Sequence, residues 1–190
     1  LPVGAVESMV GVLQDGSPVR AVLERYGTEA AAGLAEMLQT GLAEGKGPRE
    51  VARGMRNAWD VGKSKAELIA RTEMLRAHRT ATMQNYRRNS SIVKGWVWNA
   101  HLGDERTCAA CLALHGSVHS LDEAMQDHPG GRCTASPATI SWADLGITGI
   151  EEKPAIAPGD GARWLAEQSA ETQREILGAA YEGYNEGRIE

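Results

Sequence analysis

The sequence predicts an α+β protein that is mostly helical and carries a small antiparallel sheet. Three observations predict this class. From Ser64 onward, about 25 residues show helical periodicity without an interior Gly or Pro. Residues 91–101 then alternate with the period of two that is typical of a strand. All three cysteines and three of the five histidines lie between Asp104 and Cys133, in the region where a small sheet needs an additional stabilising element.

Residues 1–62 are predicted to form an N-terminal helical hairpin or arm. Between Ser17 and Gly45, apolar residues recur at the three-and-four spacing of an amphipathic helix. Ser17 is expected to cap this helix, with Pro18 at its first position. A second, shorter helix is expected from Pro48 to about Trp59, because Gly and Pro residues interrupt the pattern between the two. Its buried face is predicted to carry Val51, Met55 and Trp59.

The longest helix is predicted at the start of a core that spans residues 63–142. Ser64 and Glu67 have the Ser-x-x-Glu spacing of a capping box, which places the beginning of the helix at Ser64. One stripe of the helix is expected to be buried, because its residues recur at helical spacing. This stripe carries Leu68, Thr72, Leu75, Arg79, Thr82, Met83 and Tyr86.

Three strands are predicted within the core. The alternating segment 91–101 is the first, and shorter strands are expected at Gly116 to Leu121 and at Cys133 to Ser141. Together they make a small antiparallel sheet around the segment that carries the cysteines.

Residues 143–190 are predicted to form a linker and a C-terminal helical arm. The stretch Gly146 to Gly161 is rich in Gly and Pro and indicates the linker. Helical periodicity follows, and Ser169 is expected to cap a second piece of the arm. The predicted buried face of the arm carries Trp164, Leu165, Ile176, Leu177, Ala180, Tyr181 and Tyr184.

Charge is distributed unevenly along the chain. The formal net charge is −5, which argues against a general nucleic-acid binder. From Lys63 to Lys94, however, the chain has eight basic and two acidic residues. After residue 142 it has ten acidic and four basic residues. These blocks could meet each other, neighbouring subunits or a polyanion, or they could be solvated helix faces. No apolar run is long enough for a membrane span, and no secretory signal is visible. The first residue is Leu rather than Met, as expected of a processed product or of part of a longer chain.

The cysteines and one histidine form two close pairs. Cys108 and Cys111 make a C-x-x-C pair, and His128 and Cys133 make an H-x4-C pair. Tetrahedral zinc binds such pairs readily, and a Cys3His set leaves no open coordination position, which is typical of a structural site. His128 is preferred over His115 and His119 because residues 129–131 are expected to form a tight turn before Cys133. The segment therefore resembles a zinc knuckle.

Other interpretations of these cysteines remain open. The C-x-x-C pair could be a redox centre, although such pairs normally accompany a βαβ pattern that the sequence lacks. One cysteine could be a nucleophile with His115 or His119 as its base, or all three could be inert buried thiols. Motifs for phosphate-binding loops, zinc proteases and serine hydrolases are absent, so no enzyme is predicted.

The order of the motifs resembles the Mu protein F-like family of phage head-morphogenesis proteins. Ala70-Arg-Thr-Glu73 lies in the long helix, and Trp96 and Trp98 lie in the first strand. The motifs that follow are Asp104-Glu-Arg-Thr-Cys108-Ala-Ala-Cys111, Leu114-His-Gly116 and His128-Pro-Gly-Gly-Arg132-Cys133. The resemblance covers about Lys63 to Pro137, and it strengthens the prediction of a structural zinc ion.

The resemblance implies a minor capsid protein, with a structural rather than an enzymatic role. It implies association with the phage portal protein and other head proteins, in several copies within a symmetric assembly. Its location would be the virion, inside the head at the portal vertex, and the host cytoplasm during assembly. Packaged double-stranded DNA or the portal could then contact the basic helix through Arg71, Arg76, Arg79, Arg87 and Arg88. Arg106 and Arg132 are expected to orient backbone carbonyls or Asp104 beside the cysteines. The alternatives are a DNA-binding zinc module and a toxin- or effector-type enzyme carried in the virion.

Overall fold

The computed structural model describes residues 18–58, 62–152 and 155–188, with side chains described from Glu29 onward except at Ala31. The expected cap at Ser17 and the expected contact of Trp59 lie outside these residues. So do the side chains of the first four apolar positions of the first helix. The elements are α1 (Pro18–Ala43), α2 (Pro48–Ala58), α3 (Lys63–Arg88), β1 (Val93–Asn99), α4 (Ala109–Leu114), β2 (Val118–Ser120), β3 (Thr134–Thr139), α5 (Asp160–Ala166), α6 (Ala170–Leu177), a 3-10 turn (Gly178–Ala180) and α7 (Tyr181–Asn185). An α+β protein with more helix than strand is therefore confirmed.

The chain divides into two compact units. The first holds the described residues up to Asn85 together with Ala124–Gly131, and the second holds Tyr86–Glu123 and the described residues from Arg132 onward. The sequence predicted three segments, residues 1–62, 63–142 and 143–190. The division into two compact units follows packing and does not test these boundaries. Among the described residues, no helix is both long enough and apolar enough to cross a membrane.

The first unit has a core built from α1, α2 and the N-terminal half of α3. Leu34, Leu38 and Leu42 of α1 are buried, as are Val51 and Met55 of α2, which confirms those parts of the predicted apolar faces. Alanines 66, 70 and 77 of α3 pack into the same cluster with Ile69 and Met74. Small residues allow close helix packing, as at Gly41 of α1, where an added Cβ would run into Val51.

The predicted start and buried stripe of α3 need correction. The helix begins at Lys63, and the Ala66 amide donates to the Gly62 carbonyl, so Ser64 lies inside the first turn and is not the cap. Thr72, Arg79 and Met83 are buried as predicted, whereas Leu68 is 40% exposed. The buried face is centred on Ile69, Ala70, Glu73, Met74 and Ala77.

The second unit contains a three-stranded antiparallel sheet with the order β2-β1-β3. Trp96 pairs with His119 on one side and with Pro137 on the other, and a register shift separates Val93 from Gly95. The side chain of Trp96 is almost fully buried, and its Nε1 donates to the Ser120 carbonyl at 3.0 Å. All three predicted strands are confirmed.

Two features of the second unit differ from the predictions. The short helix α4, which follows Cys108 directly, was not predicted, because six residues carry too little periodicity to reveal a helix. In the C-terminal arm the Ser169 cap is confirmed, since its side chain accepts from the Thr172 amide. The expected buried face of the arm is wrong for most positions: only Leu165 is fully buried. The other predicted residues are half-buried because little of the described chain covers them.

Candidate metal centre

Two local structures position the three cysteines. Cys108 is the N-cap of α4, with extended backbone angles (φ −73°, ψ 157°), and Cys111 lies in the first turn of this helix. Residues three apart on a helix lie on one face, so both thiols point to the same side. Cys133 directly precedes β3 (Thr134–Thr139). The start of a helix and the start of a strand therefore supply the sulfur atoms.

The structure brings the three thiols together within the second unit. The Sγ atoms of Cys108 and Cys133 each lie within 4.8 Å of the Sγ atom of Cys111. Cys111 and Cys133 are buried and Cys108 is half-buried, and no disulfide joins them. Cys111 thus has a second thiol on either side, and sulfur is the donor type that zinc prefers.

The electrostatics of Cys111 argue against a reactive thiol. Burial raises the pKa of Cys111, and the neighbouring Cys133 and Cys108 thiols raise it further. A nucleophile or redox centre needs a lowered pKa, because the thiolate is the reactive form. The described sheet is antiparallel and so provides no βαβ unit. A cation among the sulfurs would reverse the trend by stabilising thiolates.

His128, the predicted fourth ligand, belongs to the first unit. The predicted turn before Cys133 is confirmed, since the Gly131 amide donates to the His128 carbonyl at 2.9 Å and Gly130 has a φ of +76°. The ring of His128 is exposed, and its Nδ1 lies 3.1 Å from the Pro129 carbonyl oxygen. The Nε2 atom of His128 lies 3.7 Å from Asp127 Oδ1. The membership of His128 in the ligand set stays a prediction.

The two alternative histidines have other roles. His119 stacks on Trp96 with ring centroids 4.2 Å apart, and both of its ring nitrogens have partners, Ser117 Oγ at 2.8 Å and Glu123 Oε2 at 3.0 Å. His115 is buried, and its Nδ1 accepts from the Ala100 amide at 3.0 Å. Burial lowers the pKa of His115. Each therefore supports the sheet.

An ion-pair network borders the cysteine pairs. Arg132 and Arg106 both bind the carboxylate of Asp104, as predicted, and Arg132 also donates to Thr107 Oγ1 at 3.3 Å. These hydrogen bonds hold the pKa of Asp104 well below its usual range. Thr107 in turn donates to the His101 carbonyl. The network links the residue before Cys133 to the residue before Cys108.

One of the five arginines proposed for DNA or portal contact is not on the surface. Arg79 is buried and pairs with Asp127 at 2.7 Å, and it also donates to the Gly131 carbonyl at 3.1 Å. Its charge is already compensated and shielded from solvent, so Arg79 does not belong to a contact surface. No pattern in the sequence marks this pair, because 48 positions separate the two residues.

The other four arginines have exposed or partly exposed side chains. Arg76 donates to Glu73, Arg87 donates to the Leu121 carbonyl, Arg71 is half-buried and Arg88 is exposed.

Helices packed through small residues, a three-stranded sheet and a cluster of thiols together define an α+β protein with a candidate metal centre. The chain belongs to the Phage Mu protein F like family, whose sequence model matches residues 32–136. The match spans more than half of the chain and includes all four predicted ligand residues. It identifies a phage head-related protein of a structural family, and it supports neither alternative, the DNA-binding zinc module or the effector enzyme. No similar curated protein and no similar solved structure was found.

Proposed function

We propose that this protein is a minor capsid protein that acts in head morphogenesis at the portal vertex, inside the phage head. The observation that carries the proposal is the family match, which runs through α1, α2, α3 and most of the sheet. The protein would assemble in several copies with the portal protein and other head proteins, in the host cytoplasm and then in the virion. We assign it no catalytic role.

In this proposal a structural zinc ion is held by Cys108, Cys111, His128 and Cys133. The three clustered thiols support the assignment, because sulfur donors select zinc over hard cations. When bound, zinc would supply a cross-link among these residues and no reactive position. The protein residues do the remaining work: Arg132 and Asp104 tie the two cysteine-bearing segments together, and residues 129–131 turn the chain toward Cys133.

Two surfaces are proposed to contact partners. Four exposed large apolar side chains lie close together in sequence, between the end of the sheet and the first part of the linker: Trp142, Leu145, Ile147 and Ile150. Such a concentration is typical of an interaction surface, and we assign it to the portal or another head protein. Arginines of α3, namely Arg71, Arg76, Arg87 and Arg88, would contact DNA phosphates or an acidic surface of the portal.

Co-purification with the portal protein of the same phage tests the proposal. The full chain should associate with assembled portal at low salt, and Trp142→Ser combined with Leu145→Ser should weaken the association at least tenfold. Ile92→Ser combined with Val118→Ser is the matched control, because these side chains are at least as exposed as Trp142 and Leu145 but lie at the sheet. Lack of association of the wild-type chain would reject the portal role, and equal loss in both variants would reject the linker surface.

A further inference from the structure

A further group of basic side chains lies on α2 (Pro48–Ala58) and at the first residue of α3. Arg49, Arg53 and Arg56 are spaced four and three residues apart, which puts them on one face of the helix. Arg49 and Arg56 are exposed and Arg53 is also accessible, and together with Lys63 they line a cavity of about 540 Å³. Glu67 is the one acidic residue in this lining. The cavity therefore has four cations and one carboxylate.

The fold gains little from most of these four cations, although Arg56 lies in the last turn of α2, where the helix dipole favours a positive charge. Within the described part of the chain, none of them forms an ion pair or a side-chain hydrogen bond. Like charges four residues apart on a helix repel each other. Arg49 and Lys63 also lie in the first turns of α2 and α3, where the helix dipole disfavours cations. An arrangement that opposes stability in two ways needs another explanation, and binding of an anion provides one.

The chemistry of the cavity fits phosphate groups. The helix dipoles add partial positive charge from the first turns of α2 and α3, and a concave surface concentrates the field of the four cations. Guanidinium groups donate two parallel hydrogen bonds to phosphate oxygens, so arginine is well suited to this ligand. A carboxylate ligand would meet the same donors, so an acidic polypeptide is the competing ligand.

We propose that Arg49, Arg53, Arg56 and Lys63 form a binding site for the phosphodiester backbone of double-stranded DNA. Arg49 and Arg56 are about 10 Å apart along the helix axis, and phosphates of one DNA strand follow each other at about 3.4 Å along the duplex. The row is therefore long enough for each of the three arginines to contact a phosphate of its own. Contacts of this kind do not read bases, so binding is independent of DNA sequence. The choice of DNA among polyanions rests on the proposed role in the phage head.

Salt-dependent DNA binding tests this site. The full chain is titrated into a labelled, random-sequence duplex at several salt concentrations, and the logarithm of the association constant is plotted against the logarithm of the salt concentration. The triple variant Arg49→Gln, Arg53→Gln, Arg56→Gln should bind at least tenfold more weakly at low salt. The slope of the plot should become less steep by about 0.9 for each phosphate that the variant no longer neutralises, or by nearly 3 in total.

A matched variant separates this site from a general charge effect. Arg163→Gln, Arg174→Gln and Arg188→Gln remove three positive charges from exposed positions of the C-terminal arm and should leave the slope unchanged. Failure of the wild type to bind DNA, or equal losses in the two variants, would overturn the site. Loss of binding to polyglutamate but not to DNA would also overturn it, in favour of an acidic protein partner. Association with the portal is measured separately, so either proposal can fail alone.

Discussion

Arg132 donates one hydrogen bond to each carboxylate oxygen of Asp104, at 2.6 and 2.9 Å. The two residues are 28 positions apart, and each lies next to or near a cysteine. This paired geometry is the strongest arrangement available to a guanidinium and a carboxylate. The ion pair joins the two ends of the segment between Asp104 and Arg132, and neither of these residues is a predicted metal ligand.

Arg132→Lys should lower the stability of the protein, because an ammonium group cannot form both bonds at once. The low pKa of Asp104 gives a pH signature. A carboxyl group whose pKa is lowered by folding stabilises the folded state above its unfolded pKa of about 4, and this contribution is lost as the pH falls further. Urea denaturation across this range should therefore show a weaker acid destabilisation in Arg132→Lys. Arg106→Lys should change it less, because Arg106 is mostly exposed.

The buried pair of Arg79 and Asp127 predicts a large effect of a single substitution. Asp127→Ala removes the partner of a guanidinium that is only 9% exposed, so we expect a loss of about 3–5 kcal/mol in the free energy of unfolding. Replacing both residues, Arg79→Met with Asp127→Leu, should cost much less. Arg188→Met is the control and should cost no more than about 1 kcal/mol, because both members of its ion pair with Glu186 are exposed. An Asp127→Ala variant as stable as wild type would contradict the assignment.

Metal content tests the cysteine centre directly. Elemental analysis of the purified protein should find about one zinc ion per chain, as a closed four-ligand site requires. Cys108→Ser, Cys133→Ser and His128→Ala should each lower the metal content and the melting temperature, since metal binding contributes to folding. His78→Gln, on the exposed surface of α3, should change neither. Metal-free wild-type protein with undiminished stability would favour inert thiols.

His115 predicts a dependence of stability on pH near neutrality. Burial lowers its pKa, so the folded state favours the neutral ring. Its contribution to stability is complete above the unfolded pKa of about 6.5 and is lost as the pH falls through the folded value. His115→Asn keeps an acceptor for the Ala100 amide but cannot titrate, so its stability should fall less between neutral and mildly acidic pH. Equal slopes for both proteins in thermal melts would exclude His115 as the source.

Two glycines in the helical hairpin provide a matched test of packing. An added Cβ at Gly41 would overlap the rigid side chain of Val51, whereas at Gly54 it would meet the flexible Met37 sulfur at 3.0 Å. Gly41→Ala should therefore destabilise the protein by about 1–3 kcal/mol. Gly54→Ala should be neutral or stabilising, by up to about 1 kcal/mol from helix propensity. Chemical denaturation measures both, and a stabilising Gly41→Ala would refute the close approach of α1 and α2.

Local patterns predicted most of the secondary structure. The helices at Pro18 and Pro48, the Ser169 cap and the three strands each depend on residues close together in the chain, where periodicity and capping are visible. The short helix α4 was missed, because a single turn and a half has no recognisable period. The C-x-x-C pair was found because covalent spacing alone holds two sulfurs within reach of one another.

Burial could not be predicted in the same way. Helical periodicity favoured Leu68 for the buried face of α3, but the structure buries Ala66, Ala70 and Ala77 instead. Close packing against α1 and α2 favours small side chains at the contact. A prediction based on hydrophobicity alone ranks alanine below leucine for such positions. Arg79 was assigned to a contact surface because it is charged, and only its partner 48 positions away made burial favourable.

Residue order was enough to place the helices and strands, to pair Cys108 with Cys111, and to point to the family. Only the tertiary structure brings Cys133 to Cys111 and joins Arg132 to Asp104. It also places His115 against the Ala100 amide and His119 against Trp96, so that neither histidine remains a candidate ligand. The difference lies in the range of the interactions involved. Periodicity and capping act over a few residues, whereas burial, ion pairing and shared coordination depend on residues that are far apart along the chain.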